Sequence, residues 1–391
     1  MASNRYKEIA NTVYSNLKKS NLIRSFTPYE RKVKEFPHTM IDGKRTTIWC
    51  TNDYMLMSMN QRTIDVCVEK IREFGIGSGG TRNISGTQTI HEEVEELIAG
   101  WYGKDRGLLF GSGFMANYGT LRALRSIYNP LFISDELNHA SMILGMTESK
   151  KKVYRHNDMN SLESILKKHK HIPNKVIAFE SLYSMEGTKG NVSDTIYLAK
   201  KYGAMTYCDE IHAVGMYGRK GSGVLEEENR TKDIDIIMGG MGKGLGGLGG
   251  FVCGDDVLVR CISAYASSYI FTTSLPPALC YAAKQNILDC MASYDQRMRF
   301  LENALFLKKK LIDAEFRLVD STTESHILCV EIGSEVECKL VAKDLLRHGI
   351  YIQPIFYPTV PLGRARLRIT PTLRHTEKMM DYLVGCLRDV V

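Results

Sequence analysis

Between residues 107 and 253 short apolar runs alternate with helix-like stretches, and that alternation limits the chain to few architectures. Strand-like runs fall at 107–110, 131–133, 153–154, 176–179, 204–208, 234–238 and 250–253, with helix-like stretches at 114–126, 140–149, 160–169 and 193–202. Strands spaced in this way pair in parallel and need helices over the sheet faces, so the expected class is α/β with a mostly parallel central sheet. Ligands of such sheets gather at the carboxyl ends of strands.

The residues just beyond those ends are therefore the first place to look for chemistry. The run Asp235 to Gly250 begins apolar and empties into glycine around one charge, Lys243. Small neighbours let a bulky group approach that amine, and partial burial lowers its pKa, which suits Schiff-base formation. The 204–208 run ends in Asp209, with His212 close behind, 34 and 31 residues before the lysine. A lysine for an aldehyde, a carboxylate for a ring nitrogen and a donor for a ring oxygen are what pyridoxal 5′-phosphate requires. Ser184 also follows a strand and could draw on the same site.

Other readings of these residues compete. Gly244, Gly246 and Gly249 match a dinucleotide fingerprint, but that motif opens a helix, whereas residues 250–253 read as a strand. Asp209, Glu210 and His212 lack a convergent third ligand, so no metal site is expected. Asn138 and His139 mark a helix start or present an imidazole face to a flat ring. Asn52 is a turn residue or a ligand donor. The glycine and hydroxyl loop 75–87 is either a linker or an anion-binding loop, with Thr87 as candidate N-cap of the helix that follows.

With 391 residues the chain can form an N-terminal helix and strand segment (1–50), a large domain (51–281) and a smaller C-terminal α+β domain (282–391) entered by one long helix over 282–314. A net charge of +7 lies in short basic runs without aromatic interleaving, which points to solvated faces or an anionic thioester rather than nucleic acid. No run stays apolar for the roughly 18 residues of a membrane helix. Ten cysteines without a C-x-x-C fit buried thiols of a reducing compartment, hence the cytoplasm, or the mitochondrial matrix in a eukaryote. The first 28 residues are basic like a transit peptide, yet Ile9, Val13, Tyr14 and Leu17 fall at helical spacing and predict a docking helix.

Long words in one order carry a resemblance. Residues 49–54, 79–87, 134–143, 155–158, 179–187, 209–218, 270–277 and 357–361 resemble the α-oxoamine synthase family of pyridoxal phosphate enzymes, in the branch that condenses glycine with succinyl-coenzyme A. The resemblance implies fold type I, a homodimer with shared sites, and a decarboxylating acyl transfer that yields a tetrapyrrole precursor. It implies Lys243 as the residue that holds the cofactor, Asp209 at the ring nitrogen, His212 at the ring oxygen and His139 stacked on the ring. Gly113, Phe114, Ser184 and the partner subunit's Thr272 would hold the phosphate. Asn52 and Arg368 would bind the glycine carboxylate, and Arg24, Thr81, Asn83 and Thr359 the succinyl end. Another acyl thioester, or a subunit without activity, are the alternatives.

Three departures stand out: Gly240 replaces the family's threonine on the phosphate, Met55-Leu56 replaces Leu-Gly, and Leu362 replaces an arginine in a loop expected to close over substrate. A threonine restored at 240 is expected to tighten cofactor binding if the backbone there has negative φ.

Overall fold

The computed structural model describes residues 2–391. Its strands are β1 (His38–Ile41), β2 (Lys44–Ile48), β3 (Arg106–Phe110), β4 (Leu131–Asp135), β5 (Lys151–Tyr154), β6 (Lys175–Glu180), β7 (Met205–Asp209), β8 (Ile236–Gly240), β9 (Gly250–Gly254), β10 (Leu328–Gly333), β11 (Ile350–Tyr351), β12 (Pro354–Ile355) and β13 (Ala365–Ile369). The chain divides into two compact units. One comprises residues 52–184 and 188–301, the other residues 1–51, 185–187 and 302–391.

The larger unit is built on a seven-stranded sheet of order β3-β9-β8-β7-β6-β4-β5. Strands β4 to β8 run parallel, and β9 alone is antiparallel to both of its neighbours. The apolar runs are near-continuous because both faces are covered: Phe132, Val176, Tyr207, Ile236, Met238 and Val252 lie in one buried cluster, and Ile133, Ile177, Cys208, Ile237 and Cys253 on the opposite face are buried too. Burial of each large side chain stabilises the unit by about 1.5–3 kcal/mol before entropy is counted. Helix Gly113–Tyr128 starts where the Ser112 side chain accepts the Met115 N–H, and helix Val192–Tyr202 stops at Gly203, whose φ of 60° favours glycine. Such caps fix where each crossover meets the sheet. Asp135, Glu180, Asp209 and Gly240 consequently end parallel strands on one edge.

In the smaller unit β2 pairs in parallel with β11, which joins the N-terminal segment to the C-terminal one. A second sheet, β10-β13-β12, is antiparallel. Trp49, Leu307, Leu345, Leu367 and Leu383 belong to its core.

Four local expectations are corrected. The helix expected over 282–314 is two, Pro277–Ala292 and Tyr294–Asp313. The Cys290 carbonyl is taken by the Arg297 guanidinium and by the Ser293 N–H, so the first helix closes there. The stretch 351–354, whose sequence reads as one strand, is split, because Tyr351 ends a pair with β2 while Pro354 opens a pair with β13. Thr87 does not cap its helix: its hydroxyl is held by Arg82, and the N–H of Gln88, just ahead of the helix Thr89–Tyr102, donates to His91 Nδ1 instead. Helix Ala2–Lys19 forms, but Ile9, Val13, Tyr14 and Leu17 remain exposed, so its apolar face finds no cover within the unit.

Among the described residues no helix is long and apolar enough to cross a membrane, and no three metal-ligating side chains cluster.

Candidate active site

Asp209 ends β7 buried, with both carboxylate oxygens engaged. Oδ2 accepts from Asn117 Nδ2 at 2.7 Å and Oδ1 from the Ile211 N–H at 2.8 Å. Asn117 is aimed in turn, because its Oδ1 accepts the Tyr207 hydroxyl at 2.7 Å and its amide also donates to Ser141 at 3.0 Å. Burial pushes the carboxyl of the adjacent Glu210 up to about 8.

His212 lies between Lys243 and Tyr54. Its Nε2 contacts Lys243 Nζ, and its Nδ1 is 2.9 Å from the Tyr54 hydroxyl. That hydroxyl donates to Asn52 Oδ1 at 3.3 Å. The Tyr54 hydroxyl lies within reach of both His212 Nδ1 and Asn52 Oδ1, so it links the imidazole to the amide. Asn52 thereby enters the same chain of bonds as Lys243. The glycines beside the lysine answer to close approaches: a Cβ on Gly244 would stand 2.3 Å from the Val214 carbonyl, and one on Gly246 2.1 Å from the Ser58 nitrogen.

His139 follows β4. Its N–H donates to Glu180 Oε1 at 2.6 Å and its Nδ1 lies 2.6 Å from Ser141 Oγ. Its residue is solvent-exposed, yet the protein packed about the ring pushes the pKa below the ordinary value; Asp209 opposes that shift and Lys243 adds to it. The result is a neutral, flat ring with an open side. Phe114 meets it edge-on, ring centroids 6.4 Å apart.

Gly113 and Phe114 form the first turn of helix Gly113–Tyr128, directly after β3. Backbone N–H groups of such a turn and the helix dipole favour an anion. Ile211 crowds this corner: a Cβ on Gly113 would stand 2.3 Å from Ile211 Cδ1, and one on Gly240 2.6 Å from its Cγ1. Gly240 is not among the residues of positive φ. The expected condition on its backbone is therefore met, but the space is taken.

The remaining candidates fall into smaller groups. Thr81 donates to Asn83 Oδ1 at 2.7 Å, and Thr81 bridges Thr273 beside Thr272. Ser184 is partly buried, one residue past the Tyr183 N–H that donates to the Thr188 carbonyl. In the smaller unit Arg24 Nη2 donates to Thr359 Oγ1 at 2.8 Å. Arg368 is buried on β13, where its charge counters the rise that burial imposes on the Cys50 and Cys329 thiols.

Sequence reasoning missed Asn117, Ile211 and the part played by Tyr54. Asn117 has a signal of its own kind, a polar amide among the inward positions Ala116, Thr120, Leu121 and Leu124 of one helix. Ile211 has none, since its effect depends on two glycines far away in sequence.

A mostly parallel seven-stranded sheet with a lysine, an aspartate and two histidines at its strand ends defines the fold type I architecture of pyridoxal-phosphate-dependent transferases. The pattern of the class I and II aminotransferase family matches residues 44–387. The 5-aminolevulinate synthase of Rickettsia typhi is 40% identical over 98% of this chain and 93% of its own length. That of Bradyrhizobium diazoefficiens is 41% identical over 98% and 96%. Among solved structures, a serine palmitoyltransferase from S. paucimobilis with a bound PLP–myriocin aldimine superposes with a TM-score of 0.90 at 29% identity, covering 100% of this chain and 98% of that one. The chain belongs to the class I and II aminotransferase family and, within it, to the 5-aminolevulinate synthases.

Proposed function

We propose that this enzyme condenses glycine with succinyl-coenzyme A to give 5-aminolevulinate, coenzyme A and carbon dioxide, with pyridoxal 5′-phosphate as cofactor. The observation that carries the reading is the grouping of Lys243 and His212 with Asp209 at neighbouring strand ends, in a chain about 40% identical to 5-aminolevulinate synthases over 98% of its length. The donor set fits the cofactor in kind: an amine, a locked carboxylate, an imidazole facing that amine, an exposed neutral ring and a helix N-terminus. When bound, the cofactor supplies an aldehyde for amine exchange and a protonated ring that takes up carbanion charge.

Each residue then has a separate task. Lys243 holds the cofactor through Nζ and moves the proton at the α-carbon of glycine. Asp209 keeps the ring nitrogen protonated, and its orientation comes from Asn117 and Ile211. His212 serves the ring oxygen, and His139 lies against the ring. Gly113, Phe114 and Ser184 hold the phosphate. Asn52 and Arg368 receive the glycine carboxylate; Arg24, Thr81, Asn83 and Thr359 receive the succinyl carboxylate, which needs a guanidinium and neutral donors when it leaves water. We place the enzyme in the cytoplasm as a homodimer, with Thr272 reaching the phosphate in the partner's site. Support for a covered surface there comes from Phe271, which is 79% exposed in the single chain.

Substrate choice is the test. Thiol release from a panel of acyl-coenzyme A esters with glycine should be fastest with succinyl, and a preference for butyryl or longer chains would overturn the assignment. Arg24→Leu should lower kcat/KM for succinyl-coenzyme A about 10–150-fold, the worth of a charge-assisted bond, while butyryl and the glycine KM change little. An unchanged succinyl-to-butyryl ratio would remove Arg24 from that role.

The crowding by Ile211 reverses the expectation for position 240. Gly240→Thr alone should weaken cofactor binding, because overpacking costs about 1–3 kcal/mol. With Ile211→Ala added, the new hydroxyl should tighten binding by about 1 kcal/mol relative to Ile211→Ala alone. Equilibrium dialysis of pyridoxal phosphate against the three variants distinguishes these outcomes, and tighter binding by the single variant would show that Ile211 yields.

A further inference from the structure

The word Arg155-His156-Asn157-Asp158 has no task in the chemistry above, yet its side chains tie two parts of the site together. His156 Nδ1 lies 3.1 Å from Oδ1 of Asp135, the buried last residue of β4, and its Nε2 lies 2.8 Å from Thr188 Oγ1. The ring packs edge-on against Tyr183 with centroids 4.4 Å apart. Asp135 also accepts the N–H groups of Leu137 at 2.9 Å and Asn157 at 3.1 Å. As an acceptor only, that carboxylate puts the histidine proton on Nδ1 and leaves Nε2 to take the Thr188 proton. Asn157 repeats the tie, donating to the Lys189 carbonyl at 2.8 Å.

Thr188 and Lys189 form one side of a short antiparallel pairing. Leu182 bridges Lys189, and the Tyr183 N–H donates to the Thr188 carbonyl at 2.9 Å. Ser184 is the next residue, so its backbone follows directly on a bridged segment whose mate is held by His156. Asp135 opens the turn that delivers His139. His156, with Asn157 beside it, thus links the turn carrying the ring-stacking candidate to the one carrying the phosphate candidate.

We propose that His156 is a positioning residue that acts through Thr188 to place the Ser184 hydroxyl for the cofactor phosphate. The inference rests on the reading of Ser184 as a phosphate ligand. The test is the pyridoxal phosphate dissociation constant, with the phosphorus chemical shift of the bound cofactor as a second readout. Both are measured on the dimeric protein carrying Thr188→Val, Thr188→Ser, Ser184→Ala and the Thr188→Val/Ser184→Ala pair. Thr188→Val keeps the side-chain shape and loses only the hydroxyl, and should raise the dissociation constant about tenfold, as should Ser184→Ala. Thr188→Ser should restore it to within about twofold. The double variant should bind no worse than Ser184→Ala alone, since both changes remove one effect, and the phosphorus shift of Thr188→Val should move toward that of Ser184→Ala. Fully additive losses, or an unaltered Thr188→Val beside a weakened Ser184→Ala, would overturn the role of His156. An unaltered Ser184→Ala would overturn the Ser184 reading itself, and the inference with it.

Discussion

Lys243→Ala is expected to lower turnover by about 10⁴-fold or more, because in the proposed function one amine would both hold the cofactor and move the substrate proton. The structure gives no neighbour ready to replace it. His212 Nε2 faces the lysine, but an imidazole nitrogen forms no Schiff base with an aldehyde. A second readout separates loss of chemistry from loss of binding. Borohydride treatment of the wild-type enzyme with pyridoxal phosphate should mark the peptide that contains Lys243, and the variant should take up no mark. Labelling of a different lysine, or substantial turnover in the variant, would end the assignment.

Asp209→Asn should be the next most damaging change, although it preserves size. Loss of a charge-assisted hydrogen bond costs about 1.5–3 kcal/mol, roughly 10–150-fold, and a transition state that stores carbanion charge on the ring should suffer more. The local geometry adds a further penalty. Asp209 accepts from Asn117 on one oxygen and from the Ile211 N–H on the other, so an asparagine must turn its own donor toward one of them. Steady-state turnover, with circular dichroism to show an intact fold, checks the result. Near-normal turnover would remove Asp209 from the ring nitrogen.

Much of this site is legible in sequence because strand ends are legible. Continuous apolar runs mark strands buried on both faces, and the residues that follow them, Asp209, Lys243 and His139, stand on one edge by topology alone. What stays hidden depends on approach between distant segments. The antiparallel insertion of β9 between β3 and β8 has the same apolar pattern as a parallel strand. The helix break at Ser293 is decided by a guanidinium seven residues from Cys290, which no periodicity records. Asn117 looks like any polar residue on a helix until Tyr207 and Asp209 are seen on either side of it.

Gly240 and Ile211 share the phosphate corner. A Cβ at 240 would stand 2.6 Å from Ile211 Cγ1, so any side chain placed there requires the isoleucine to shift. The effect of a residue at either position therefore depends on the residue at the other, and a hydroxyl tried at 240 reports on the isoleucine as much as on the phosphate.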